Sequence, residues 1–258
     1  MPPLYLILWT AAGAGLCMTA LWIVQYVRTD ATIVDIGWSY CLLATALFFA
    51  IAGSGLPFRR LLFVLCAGIW AARLGTYLLA SRLLRAHGED SRYLRMRSAM
   101  GRWAQPGFFL FFQLQTLFVV IFAIPFIGPV TNPATLSVFD SLALLVWAVA
   151  FAGETIADWQ LNRFRRNPAN KGTTCQTGLW RYSRHPNYFF EWLHWFTYIF
   201  FAIGSPWWWL SLSGPVIMFL FLFYVTGIPH TEREALSHRD DYAEYKKHTS
   251  MFIPWFHR

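Results

Sequence analysis

Apolar runs recur along the chain at roughly 3–27, 32–53, 60–84, 107–128, 136–158, 187–204 and 206–227, parted by short stretches rich in Arg, Gly, Pro or Asn. Runs of this length cross about 30 Å of hydrocarbon as helices, because an open strand leaves its N–H and C=O groups unpaired in lipid. The pattern predicts an all-α integral membrane protein with seven transmembrane helices. The last two runs are the shortest, and only Gly204-Ser205-Pro206 separates them, which predicts a tight helical hairpin. No internal repeat or low-complexity linker interrupts the series, so residues 1–258 are read as a single domain. The first run has no basic stretch ahead of it and continues too far for a signal peptide, so it is read as a span.

The cations between the runs orient the chain. Arg82, Arg85, Arg92, Arg95, Arg97 and Arg102 follow the third run; Arg163, Arg165, Arg166, Lys171, Arg181 and Arg184 follow the fifth. The tail adds Arg233, Arg239, Lys246, Lys247 and Arg258, whereas the connections 129–135 and 204–206 hold no Lys or Arg. The positive-inside rule therefore predicts a multi-pass protein with its amino terminus outside and its carboxyl terminus in the cytoplasm. Arg59 and Arg60 sit on the other side and are the exception. Composition agrees: 57% of residues are apolar and only 13% charged, with mean hydropathy +0.41, against about a quarter charged in soluble proteins. The net charge of +8 is accounted for by topology and anionic headgroups, so membrane lipids are the expected partners and nucleic acid is not. Cys17, Cys41, Cys66 and Cys175 form no CxxC pair, which argues against a disulfide framework and a zinc site, and no metal is expected.

Charge inside an apolar run is costly and usually functional. Such residues are few: Asp35, Arg73, Glu154, Asp158, Glu191 and His194. Glu154, Asp158, Asn162 and Arg165 fall at offsets of 0, 4, 8 and 11, one helical face leading out of the membrane. The next turn, 166–172, carries two cations and two amides, including Asn170 and Lys171, a composition that suits a phosphate or ribose and equally a solvated loop. In Arg184-His185-Pro186-Asn187 the proline predicts a helix start, whose free N–H groups attract anions, with Arg181, Arg184 and His185 adding to the field. Asn187, Glu191 and His194 then share a face. The bland alternative to both rows is a polar clasp between helices. Tyr182 and Tyr188 fit an interfacial aromatic belt, and Asp35 and Arg73 either pair with each other or line a cavity. No GxGxxG occurs, which excludes a Rossmann domain.

These stretches carry a resemblance. V-D-I-G-W at 34–38, W-A-A-R-L at 70–74, G-E-D-S-R-Y at 88–93, D-W-Q-L-N-R-F-R at 158–165, N-P-A-N-K-G at 167–172, G-L-W-R-Y-S-R-H-P-N-Y at 178–188 and D-Y-A-E-Y-K-K-H-T-S-M-F-I-P-W at 241–255 resemble a bacterial membrane family of unassigned function, DUF1295-like, related to the steroid 5α-reductases. The resemblance implies a seven-helix bundle in the bacterial inner membrane, acting as a monomer. It would bind NADPH from the cytoplasm and reduce a carbon–carbon double bond conjugated to a ketone in a lipophilic, steroid-like or isoprenoid-like substrate. It implies cofactor contacts at Asp158, Arg165, Asn187 and Glu191, with Glu154 and Arg73 matched less closely and Glu232, Arg233 and His238 as tail candidates. The tyrosine that serves the ketone in the steroid enzymes is here Trp70, so either Asp35, Tyr40 or Tyr77 takes the acid role or the substrate and chemistry differ. The R-H-P-N core is also found in S-adenosylmethionine-dependent methyltransferases of membrane lipids and isoprenylcysteine, which remain the alternative, together with a non-catalytic lipid-binding homologue.

Overall fold

The structure, a computed structural model, describes residues 1–84, 88–225 and 227–256, with side chains described at all of these except 82–84. Arg85, His87, His257, Arg258 and the side chain of Arg82 lie outside the described residues. Among those described, regular structure is entirely helical, and six helical stretches are long and apolar enough to cross a membrane: Pro3–Arg28, Ile33–Ala52, Pro57–Ser81, Ser91–Thr131, Val138–Arg166 and Trp208–His238. The chain is a multi-pass membrane protein. It forms two compact units, the first from residues 1–136 and 201–211, the second from 137–200 and 212–258.

In the first unit, α1 (Pro3–Arg28), α2 (Ile33–Ala52) and α3 (Pro57–Leu78) are followed by α4 (Ser91–Met100), α5 (Ala104–Ala123) and α6 (Ile127–Thr131), the last three running on through single 3₁₀ turns. Its core is aromatic: Phe63 meets Phe126 at 5.1 Å and Trp38 meets Phe122 at 5.5 Å, edge to face. The connection after α2 passes so close to the end of α6 that a Cβ at Gly53 would collide with the Val130 carbonyl.

Arg59 and Arg60, the exceptions to the charge rule, are buried or engaged at this corner. Arg59, 1% exposed, donates to the carbonyls of Ala134 at 2.7 Å and Thr135 at 2.9 Å. Arg60 donates to Ala50, Ile51 and Gly53 at 2.8, 3.1 and 2.9 Å. The Arg60 guanidinium satisfies carbonyls that the end of α2 leaves without partners, and Arg59 those of the connection after α6.

In the second unit, α7 (Val138–Arg166) opens on a capping box, in which Ser137 N–H donates to Asp140 Oδ2 at 2.8 Å and Phe139 N–H to Ser137 Oγ at 3.3 Å. At 1.5 Å per residue its 29 residues extend about 44 Å, so they outrun the hydrocarbon by roughly 14 Å. The run expected at 187–204 is broken. It forms α8 (Pro186–His194), nine residues, and α9 (Phe196–Ala202), seven, neither long enough alone to span. At the break the Trp195 N–H turns to the carbonyl of Trp192 at 3.2 Å, and His194 Nε2 meets the Tyr198 hydroxyl at 2.6 Å across it.

After α9 the chain turns at Gly204, whose φ of +98° favours glycine, and continues as a 3₁₀ segment at Trp208–Leu212, α10 (Ser213–Leu220) and a π-helical turn at Phe221–Val225. The last two runs thus meet at the turn after Ala202, and each is built from shorter helical pieces. α11 (Ile228–His238) and α12 (Tyr242–His248) complete the unit. The tail then runs back along the 182–184 segment: Arg184 N–H donates to Ser250 O at 2.8 Å, Ser183 Oγ to Phe252 O at 2.8 Å and Trp255 N–H to Tyr182 O at 2.9 Å. Phe252 seals it, ringed by Phe223 at 5.1 Å, Trp192 at 5.7 Å and Phe189 at 5.8 Å.

Candidate functional site

The two polar rows meet in the second unit. α7 and α8 pack closely because position 153 is glycine; a Cβ there would overlap the Phe190 ring. That closeness lets Asn187 Nδ2 donate to Asp158 Oδ1 at 3.2 Å. Glu154, one turn earlier on the same face as Asp158, is 4% exposed, while Asp158, Asn162, Asn187 and Glu191 are half-buried and Arg165 is exposed. Two further bonds pin the connecting loop to α7: Trp180 Nε1 donates to Ala157 O and Leu179 N–H to Gln160 Oε1, both at 2.9 Å.

Beyond the end of α7 the 166–172 turn closes on itself. Asn167 Oδ1 accepts from Ala169 N–H at 3.1 Å and Asn170 Nδ2 donates to Phe164 O at 2.8 Å, so these amides shape the backbone. The result is a cavity of about 330 Å³ lined by Arg165, Arg166, Asn167, Asn170, Lys171 and, from the tail, Arg239. Four cations on one small concavity set up a positive potential that favours anions.

The start of α8 differs from the sequence expectation. Arg184 and His185 are 7% and 3% exposed and face Glu232 of α11: the guanidinium lies 3.1 Å and the imidazole Nε2 3.5 Å from the Glu232 carboxylate, which Lys246 also reaches at 2.8 Å. The charge of Arg184 is therefore matched within the protein. Burial pushes the His185 imidazole below its ordinary pKa, outweighing the pull of Glu232 in the other direction. His185 stacks on Tyr188 with centroids 5.4 Å apart. His194 is wholly buried against Tyr198, apart from the half-buried Asn187 and Glu191 of its own row. Tyr182 is 39% exposed, Arg233 donates to Pro229 O at 3.0 Å from the surface, and His238 is exposed at the end of α11. A second tie to the tail runs through Asp241, which accepts from Thr174 N–H at 2.9 Å and Thr174 Oγ1 at 2.6 Å. Desolvation raises that carboxyl, but the bonds from Thr174 and Gln176 outweigh it and hold its pKa below the usual range.

In the first unit, Asp35 is bound by residues to which the sequence reading gave no role. Oδ2 accepts from Arg92 Nη2 at 2.8 Å and Oδ1 from the Tyr93 hydroxyl at 2.8 Å, with Tyr93 only 2% exposed. The available signal was the G-E-D-S-R-Y stretch, a dense polar cluster close to an apolar run. Trp70 is fully buried in α3, Arg73 and Tyr77 are half-buried there, and the Tyr40 hydroxyl lies 3.4 Å from Thr76 Oγ1. Among the described residues no group of three His, Cys, Asp or Glu side chains is placed to hold a metal ion.

Residues 21–249 match the family described as protein of unknown function DUF1295. An uncharacterized protein of Schizosaccharomyces pombe is 30% identical over 211 residues, which cover 72% of this chain and 61% of the relative, so the chain spans about three-fifths of that relative's length. No solved structure matches.

Proposed function

The chain belongs to the DUF1295 family of proteins of unknown function, and from that premise and the α7–α8 wall we propose an NADPH-dependent membrane reductase related to the steroid 5α-reductases. Its substrate would be a lipophilic molecule with a carbon–carbon double bond conjugated to a ketone. The observation that carries this reading is the wall itself: Asp158 bonded to Asn187, with buried Glu154 beside it and a four-cation cavity at the end of the same helix. The donor set fits a phosphorylated dinucleotide. Arg165, Arg166, Lys171 and Arg239 would take phosphate, and the carboxylates and amides of Asp158, Asn162, Asn187 and Glu191 would take ribose hydroxyls and the carboxamide.

When bound, NADPH supplies the hydride. The chain's own part is to orient the ligand, exclude water and hold a proton donor at the ketone. With Trp70 unable to act as a phenol, the candidates for that donor remain Asp35, Tyr40 and Tyr77. We place the protein in the bacterial inner membrane with its amino terminus outside. That orientation requires an odd number of crossings, and α8 and α9 together supply the seventh as a broken helix.

Thermal unfolding of the detergent-purified chain tests the cofactor. NADPH at a hundredfold over its Kd adds about 2.7 kcal/mol of stability. Arg165→Ala and Glu191→Gln each raise the Kd about tenfold, the scale of one charge-assisted hydrogen bond. Stabilisation by S-adenosylmethionine and not by NADPH would transfer the site to the methyltransferase reading.

A further inference from the structure

We propose that Asp241 is a positioning residue for the cationic cavity beyond α7: bonded to Thr174, it holds Arg239 over the concavity, so that loop and tail together grip one phosphate or pyrophosphate group. The proposal rests on the reading of this cavity as the cofactor's phosphate site. Arg239, Asp240 and Asp241 connect α11 to α12. An aspartate that opens a helix ordinarily accepts a hydrogen bond from the helix's own first turn. Asp241 opens α12 and makes no such bond. Its carboxylate turns instead to the loop after α7, accepting from Thr174 N–H at 2.9 Å, Thr174 Oγ1 at 2.6 Å and Gln176 Nε2 at 3.3 Å. Thr174 is 6% exposed, and its neighbours Thr173 and Cys175 line the same cavity as Arg239. The tie therefore fastens the link that carries Arg239 to the wall that Arg239 faces.

Docking of the tail as a whole does not depend on this tie. Glu232 of α11 is held by Arg184 at 3.1 Å and by Lys246 of α12 at 2.8 Å, and the Tyr245 hydroxyl donates to the carbonyls of Trp180 and Ser183. Asp241 thus acts on the short link rather than on the helices either side of it. An arginine already held in place loses less freedom when it binds an anion, so a fixed link raises affinity. By charge alone the carboxylate does the opposite, because a negative group near the cavity lowers its positive potential. The two roles give opposite signs on removal of Asp241.

The detergent-purified full chain is titrated with sodium pyrophosphate at fixed ionic strength, because salt screens the attraction. Arg239→Ala lowers the affinity about tenfold, the scale of one charge-assisted hydrogen bond. Asp241→Ala lowers it about fivefold, the scale of ordering one long side chain. Added to Arg239→Ala, the Asp241→Ala change has a further effect of less than about twofold, because it acts through that guanidinium. Thr174→Val keeps every charge, removes the hydroxyl bond and lowers affinity about threefold, again only when Arg239 is present. That variant decides the question if Asp241→Ala fails to fold. A rise in affinity in Asp241→Ala, or an equal loss with and without Arg239, would overturn the positioning role, as would a wild-type chain that binds no pyrophosphate. If pyrophosphate binds as described and NADPH does not displace it, the cofactor reading falls and the role of Asp241 stands.

Discussion

Buried Arg184 and His185 face the Glu232 carboxylate, and the environment of such groups sets a pH response. His185 is 3% exposed, and burial lowers its pKa despite Glu232 at 3.5 Å. A depressed pKa contributes stability that is present above the unfolded value of about 6.5 and is lost as pH falls through the folded value. Asp241 behaves alike further into acid, with loss beginning below about 4, because the Thr174 bonds hold its carboxyl down. The melting temperature is therefore expected to be flat above neutrality, to fall below about pH 6.5 and to fall again below about pH 4. Replacing the imidazole in His185→Gln shrinks the first fall; a fall of unchanged size would assign it to another group.

Residue identity alone did not reveal these partnerships. Arg184 and His185 stand before a helix start and read as anion-binding, yet Glu232, 47 positions on, takes them inward. Asp35 was legible as a buried acid, but its bond to Tyr93 depends on how α4 returns to α2, which no local pattern encodes.

At the scale of elements, the apolar runs predicted the helices well wherever the run was long and continuous, as in α1, α2 and α7. At 187–204 the helical run is interrupted at Trp195. There the turn at Trp195 and the His194–Tyr198 bond divide a run that hydropathy treats as one. The α7 face at 154–165 was readable from its spacing, because the helical period fixes which side chains line up. The closeness of α8 to it was not, since it depends on a missing side chain. Gly153 admits the Phe190 ring, and Gly153→Val should push α8 from α7 at a cost of about 1–3 kcal/mol, typical of overpacking. Because the Asn187–Asp158 bond spans the same contact, NADPH affinity falls with it; Phe190→Ala in the same chain relieves the overlap and restores part of that affinity. Loss of stability with unchanged affinity would separate the helix contact from the proposed site.

At the scale of the whole molecule, the distribution of charge is both a topological signal and a structural resource, and Arg59 and Arg60 distinguish the two. The positive-inside rule counts cations near the ends of spans, and these two argue against the orientation that the remaining cations favour. Their guanidiniums are occupied by carbonyls: Arg59 bonds the 134–135 connection, and Arg60 bonds the last turn of α2. If their role is to bind these carbonyls, they are fixed in place by fold energetics and contribute little to insertion. Replacing both with glutamine should then leave the orientation unchanged while lowering the melting temperature, as carbonyls at 134, 135, 50 and 51 lose their donors. In a background without Cys17, Cys41, Cys66 and Cys175, Thr135→Cys reacts with an impermeant maleimide from outside intact cells. Lys171→Cys reacts only in inverted vesicles. The double glutamine variant retains both results. Reversal of the labelling on removing these arginines would make them topological determinants, and the assignment of the amino terminus to the outside would then rest on a competition between charges that these bonds do not settle.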